Sequence, residues 1–294
     1  MNILPPMATV WYHCTRKALG DAVDIFIFDC SGGLDAQEFP GARVQKFLNL
    51  YAAAKCQEFL AHSARKRRIA WLCDDDIFIL SPETLAIIDR EFQDPTTASM
   101  SFRPRSWWHF EIAGKEYEPS GSYCLVLNRE IFIDREKLSL APVEGNIHPT
   151  HMGKGLRRYD TFDKANEILL RKGYHCIVVP ETERARCVTG FSSMSGAVML
   201  LHYFRTSDET LAYLEAPPKE QWNGNVLYGV LAGLLAICTI QECYTKLCGR
   251  SYPLRSLPPR DVLEKIRRDR EPYLRPDQSF TWVDEASETL RRAL

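Results

Sequence analysis

The chain has no excess of either charge: 37 lysines and arginines against 38 aspartates and glutamates leave a formal −1 at pH 7. That balance excludes a global field drawing the molecule to nucleic acid or an acidic bilayer, and leaves only local patches for such work. A cationic leader followed by an uninterrupted apolar stretch is missing, since residues 1–14 read MNILPPMATVWYHC. No secretory signal is expected from that start, and a cytoplasmic location is. No CxxC pair occurs among the ten cysteines, so the thiols are expected to be buried and reduced instead of forming a zinc ribbon or disulfide framework. Cys238, Cys243 and Cys248 recur every five residues, which spreads them around a helix and not onto one metal. Internal repeats and low-complexity tracts are also missing. The uncharged apolar run 226–240 is short of the ~20 residues a bilayer span needs and reads as a buried helix.

What remains is an ordinary globular composition, 45% hydrophobic and 26% charged over 294 residues, enough for a sizeable core. Runs 7–14 (MATVWYHC) and 24–30 (DIFIFDC) are aromatic or β-branched and predict strands, the second ended by SGG at 31–33. Between 42 and 62, Phe47, Leu50, Tyr51, Ala54 and Leu60 recur at helix-compatible spacing and predict an amphipathic helix. Strands are expected at 69–72 (IAWL), in TASMSF, in YCLVLN and in HCIVVPE. Helices are expected in SPETLAIIDREF, with Ser81 as cap, and over 160–172, ended by Gly173. The polar, aromatic-rich stretch between TASMSF and YCLVLN is long for a connection and marks a substrate loop. TGFSSMSG at 189–196 reads as a mobile loop before an apolar segment bearing His202, and further helices are expected at 208–214, 225–247, 260–268 and 285–293.

Three adjacent carboxylates, Asp74, Asp75 and Asp76, follow the apolar strand IAWLC and precede IFIL. Charges so placed are costly without a positive partner, and oxygen-only ligands suit a hard divalent ion such as Mg²⁺ or Mn²⁺ bound together with phosphates. Strand alternation puts Asp74 and Asp76 on one side and turns Asp75 away. The competing reading is a solvated acidic turn, or an acidic pair capping the helix at Ser81. The cluster Arg65, Lys66, Arg67 and Arg68 is expected as a solvated helix end, with anion binding as the alternative. Arg103 and Arg105 offer guanidinium groups to a diphosphate or anionic acceptor, and Trp107, Trp108 and His109 offer flat rings to a sugar or base.

CDDDIFIL and the stretch GARVQKFLNLYAAAKCQEFLAHSARKRRIAWL before it resemble the DxD signature of GT-A fold glycosyltransferases and the helix leading into it, and more loosely phage and fungal enzymes that glycosylate modified DNA bases. The likeness spans about 10–203, and departs from the pattern in having no familiar glycine-rich acceptor loop and no clear Glu-Asp pair. It implies an α/β fold, GT-A-like, with a Rossmann-like mixed central sheet flanked by helices, a catalytic domain over 1–205 and a helical C-terminal region over 206–294. It also implies a nucleotide-sugar donor, a UDP-sugar as first expectation, with Mn²⁺ or Mg²⁺, and a hydroxyl acceptor that includes DNA among its candidates. Donor binding then falls to Asp74, Asp75, Asp76, Arg43 and Trp107, the metal to Asp74, Asp76 and His202, and the acceptor base to Asp160 or Asp163. Both of these last also read as helix-capping residues, and His202 as a hydrogen-bonded core histidine. Two other functions compete. A nucleotidyltransferase wants a glycine-rich, lysine-bearing loop that TRKALGD matches poorly, and a non-catalytic nucleic-acid-binding protein wants a basic excess that is absent.

Overall fold

The computed structural model describes residues 4–47, 52–105, 109–148, 158–191 and 194–294. In chain order the helices are α1 (Pro5–Leu19), α2 (Ala52–Glu58), α3 (Glu83–Glu91), α4 (Asp163–Arg171), α5 (Glu181–Cys187), α6 (Met194–Tyr203), α7 (Ser207–Glu215), α8 (Asn225–Cys248), α9 (Arg260–Arg270) and α10 (Thr281–Ala293). The strands are β1 (Ile25–Asp29), β2 (Ala42–Lys46), β3 (Ile69–Cys73), β4 (Ile77–Ile79), β5 (Thr97–Ser101), β6 (Phe110–Ile112), β7 (Lys115–Tyr117), β8 (Cys124–Asn128), β9 (Val143–Glu144), β10 (Arg158–Tyr159), β11 (His175–Val178) and β12 (Val188–Gly190). The class is mixed α/β. Two compact units divide it, one made of 47–77 and 81–188, the other of 4–46, 78–80 and 189–294. The expected division at 205/206 is therefore not where the contacts part, because the N-terminal segment groups with the C-terminal helices.

The first unit is built on a four-stranded sheet in the order β11-β5-β8-β3, with β3 and β5 antiparallel to β8 and β11 parallel to β5. Alternation along β8 sends Leu125 and Leu127 to one face and Cys124 and Val126 to the other. The first face is covered by Ala53 of α2, Leu60, Phe132, and Ala165 and Leu169 of α4; the second by Ile87 and Ile88 of α3 and Cys187 of α5. Ala98 and Met100 on β5 share a parity yet pack on opposite faces. The register slips between His175 and Cys176, opposite Thr97 and Ser99, so an unpaired Ala98 rephases the strand. The expected substrate loop contains a hairpin, β6-β7, whose turn residues Ala113 and Gly114 both take positive φ, 52° and 73°.

The second unit packs around α8. This helix is 24 residues long and so exceeds the expected apolar run, reaching the length of a bilayer span, but 78% of its most apolar window is buried within the protein, as in a core helix. The expected helices at 208–214, 225–247, 260–268 and 285–293 correspond to α7 to α10. Residues 7–14 are not a strand but the body of α1, which Pro5 and Pro6 open. Met7, Val10 and Cys14 enter one apolar cluster while Ala8 and Tyr12 enter another, so the helix is buried on opposite sides and shows no amphipathic stripe. The helix expected over 42–62 is instead β2, paired in parallel with β1, then α2 and a π-helical turn at Phe59–Ser63; Leu50 and Tyr51 lie outside the described residues. Asp29 closes β1: its buried carboxylate accepts the backbone N–H groups of Ser31, Gly32 and Leu34 at 2.9, 2.9 and 3.2 Å. All ten cysteines are free.

Candidate metal and donor site

β3 delivers the acidic triplet but ends at Cys73. Asp74 N–H donates to Tyr123 O at 2.7 Å, the last rung toward β8, and Ile77 N–H donates to Asp74 O at 3.2 Å, closing a four-residue turn over the triplet. Strand alternation therefore does not govern Asp74, Asp75 and Asp76. The competing expectation of an acidic turn holds for the backbone. The electrostatics set it apart from an ordinary surface turn, because desolvation and the neighbouring charges both act on its carboxyls.

Asp74 is exposed and Asp75 and Asp76 are half-buried. Burial, with the charge of Asp75 added, pushes the Asp74 carboxyl up to about 6. Burial likewise pushes Asp75 up to about 6. Asp76 rises well above the carboxylate range through burial and the charges of Asp74 and Asp75, against the opposing pull of Arg103. Asp75 Oδ2 is buried without a hydrogen-bond partner. It does not simply turn away to solvent. Carboxylates with an orphaned oxygen have the chemistry that suits a hard divalent ion bound together with phosphate oxygens.

Across β8 from the triplet lies a second group of side chains. Arg105, 1% exposed, sits at its centre. Its Nε pairs with Asp163 Oδ1 at 2.8 Å, Nη1 donates to Asp160 Oδ2 and to the Tyr123 hydroxyl at 3.1 Å each, and Nη2 donates to Thr161 O at 3.1 Å. The guanidinium carbon lies 5.3 Å from the centre of the Tyr123 ring. Arg105 is thus already engaged by protein groups, a correction to its expected role as an anion ligand. Arg103 is half-buried.

The two candidate bases separate cleanly. Asp163 opens α4 with its side chain 2% exposed, and its Oδ2 accepts the Asp160 N–H at 2.8 Å, the backward half of the anticipated capping box. Burial pushes its carboxyl up to about 6 even beside Arg105. The Asp160 side chain is 59% exposed, with Oδ2 on Arg105 and Oδ1 on the Thr161 N–H at 2.7 Å. Helix α4 starts three residues later than expected, so Asp160 precedes it. Of the pair, Asp160 is the one an acceptor can reach.

Arg43, His202 and Trp107 lie in the other compact unit or outside the described residues. His202 is exposed on α6, a helix where an apolar segment was expected, and belongs to the other compact unit. Arg43 is exposed on β2 of that same unit, its guanidinium 5.6 Å from the Phe26 ring. Among the described residues no three His, Cys, Asp or Glu side chains converge as a metal-holding group, the acidic triplet included. Trp107 and Trp108 lie outside the described residues. The expected mobile loop at 189–196 is largely regular structure, ending β12 and beginning α6, with 192–193 outside the described residues. The basic cluster at 65–68 is an exposed helix end, and Arg68 binds the Phe92 carbonyl at the end of α3 through both Nη atoms at 3.2 Å. Residues missed by sequence reasoning are Tyr123 and Gly121. A Cβ on Gly121 would meet Arg103 O at 2.5 Å and the Tyr123 ring at 2.7 Å, so only glycine lets these segments close. The sequence signal was a glycine two residues before an aromatic at the mouth of a strand.

No family model and no curated protein matches this chain. Among solved structures, a mannosyltransferase from Pyrobaculum calidifontis in complex with GDP-Man and Mn²⁺ is similar at 14% identity and a TM-score of 0.43, covering 100% of this chain and 83% of that one. At that identity and TM-score the likeness assigns no function to this chain.

Proposed function

We propose that the chain is a metal-dependent glycosyltransferase of GT-A type, moving a sugar from a nucleotide-sugar donor to a hydroxyl acceptor. The observation that carries this reading is the acidic turn: three adjacent carboxylates after β3, each pushed above its ordinary range by desolvation, with the neighbouring charges added at Asp74 and Asp76, and with Asp75 Oδ2 buried and unpartnered. Such a turn is costly alone and favourable around a cation. Asp74, Asp75 and Asp76 would hold the ion, with phosphate oxygens of the donor as its other ligands. A bound Mn²⁺ or Mg²⁺ supplies a Lewis acid that stabilises charge developing on the diphosphate leaving group. Asp160, reachable and oriented by Arg105, accepts the proton of the acceptor hydroxyl. Asp163 neutralises Arg105 and fixes the start of α4.

The test is turnover of a panel of UDP-, GDP- and dTDP-sugars, with Mn²⁺ and after chelation. Metal-dependent release of the nucleoside diphosphate from at least one donor is expected. Release that survives chelation, or none from any donor, would refute the proposal.

A further inference from the structure

We propose that Arg105 is a positioning residue that ties the acceptor-side carboxylate Asp160 to the acidic turn through Tyr123, setting the spacing between donor and acceptor sites. The proposal rests on the glycosyltransferase reading above and assigns that site a coupling device.

The connection is continuous and lies within one compact unit. Asp74 N–H donates to Tyr123 O at 2.7 Å, and the Tyr123 hydroxyl accepts from Arg105 Nη1 at 3.1 Å. The same nitrogen donates to Asp160 Oδ2 at 3.1 Å. A guanidinium can make these contacts together because its donors are fixed in one planar fork, whereas a lysine ammonium is a single point at the end of a flexible stem. Gly121 keeps the assembly closed: its N–H donates to Arg103 O at 2.8 Å, and any side chain there would strike that carbonyl and the Tyr123 ring.

Charge bookkeeping argues that the Asp160 contact serves orientation. Arg105 is 1% exposed and needs one carboxylate to balance its charge, which Asp163, 2% exposed, provides at 2.8 Å. The second pair, to a carboxylate 59% exposed, adds little to stability, since solvent screens ion pairs open to it. Its consequence is geometric. It confines an exposed carboxylate that would otherwise sample several rotamers, and a misplacement of about 1 Å costs ~10²-fold in rate.

The test compares sugar transfer and donor binding in the full chain for Arg105→Lys, for Tyr123→Phe, and for the double variant Arg105→Met/Asp163→Asn, which removes both buried charges and so guards against a folding failure. Arg129→Lys is the structural control, because Arg129 is another buried arginine of the same unit paired with a carboxylate, Asp134. The expected result is a kcat lowered ~10²-fold in both Arg105 variants and ~10-fold in Tyr123→Phe, with the donor Kd in Mn²⁺ unchanged within ~2-fold and Arg129→Lys retaining its kcat. A kcat within ~3-fold of wild type in folded Arg105→Lys and in the double variant overturns the coupling alone. So does a donor affinity that falls in step with kcat, since Arg105 would then be a donor ligand. Wild type that neither binds nor turns over any donor overturns the glycosyltransferase reading and the coupling with it.

Discussion

Glu167→Gln should destabilise the first unit by ~2–3 kcal/mol at neutral pH, and that penalty should fade in acid. Glu167 lies on α4 with its side chain 3% exposed and accepts from Tyr159 OH at 2.5 Å, Arg171 Nε at 2.8 Å, Lys164 Nζ at 2.9 Å and His148 Nε2 at 3.3 Å. His148 Nδ1 accepts the Glu111 N–H at 3.2 Å, so the histidine proton sits on Nε2 and faces the carboxylate. Burial alone would raise this carboxyl, but the hydrogen bonds from Tyr159, Lys164, Arg171 and His148 outweigh it and hold the group down at about 2, against an ordinary 4.5. That difference corresponds to ~3 kcal/mol. The lower figure applies because Lys164 and Arg171, 39% and 46% exposed, regain water when the charge is removed. A depressed folded-state value means the stabilisation is complete above the ordinary carboxyl range and is lost as pH falls through the folded-state value. The gap between wild type and variant should thus be full at pH 7, roughly halved near pH 3 and gone by about pH 2. Urea unfolding at pH 7, 5, 4 and 3 reads it. A gap under ~0.5 kcal/mol at pH 7, or one unchanged down to pH 3, would refute the reasoning.

Asp160→Asn should lower kcat for transfer ~10²–10⁴-fold while leaving nucleotide-sugar affinity within ~2-fold, measured by initial rates and calorimetry. Gly121→Ala should destabilise the protein by ~1–3 kcal/mol in thermal or urea unfolding, because the added methyl strikes a backbone carbonyl as well as a ring. Leu235→Ala on α8, where the leucine is 1% exposed, should cost ~2–5 kcal/mol through the cavity it leaves in the helical unit, seen as a lower urea midpoint.

Much of the helical unit was legible because α7 to α10 carry their own start and stop signals, including Pro259 before α9 and Gly249, at φ 67°, after α8. Strand β8 was legible for a different reason, as a short apolar run that is buried throughout. Helix α1 was not, since burial against two clusters gives it the apolar, β-branched composition of a strand. Among the described residues strand β2 pairs with β1 alone, and it is largely exposed, so it has no apolar pattern to read. At the site, the place of the acidic triplet was visible, but its backbone was not, because a turn and a strand end share the same sequence there. The inward turn of Arg105 was invisible, since nothing local says that an arginine in a polar loop will bury itself between Asp160 and Asp163.

The central claim is that the turn at Asp74, Asp75 and Asp76 holds a divalent ion together with a nucleoside diphosphate. Calorimetric titration of UDP, GDP and dTDP into the protein with Mn²⁺ and with chelator, for wild type, Asp74→Asn and Asp76→Asn, tests it directly. Binding of at least one diphosphate only with the metal, weakened at least ~10-fold in both variants, is expected. Equal binding in chelator, or variants that bind as wild type does, would contradict it.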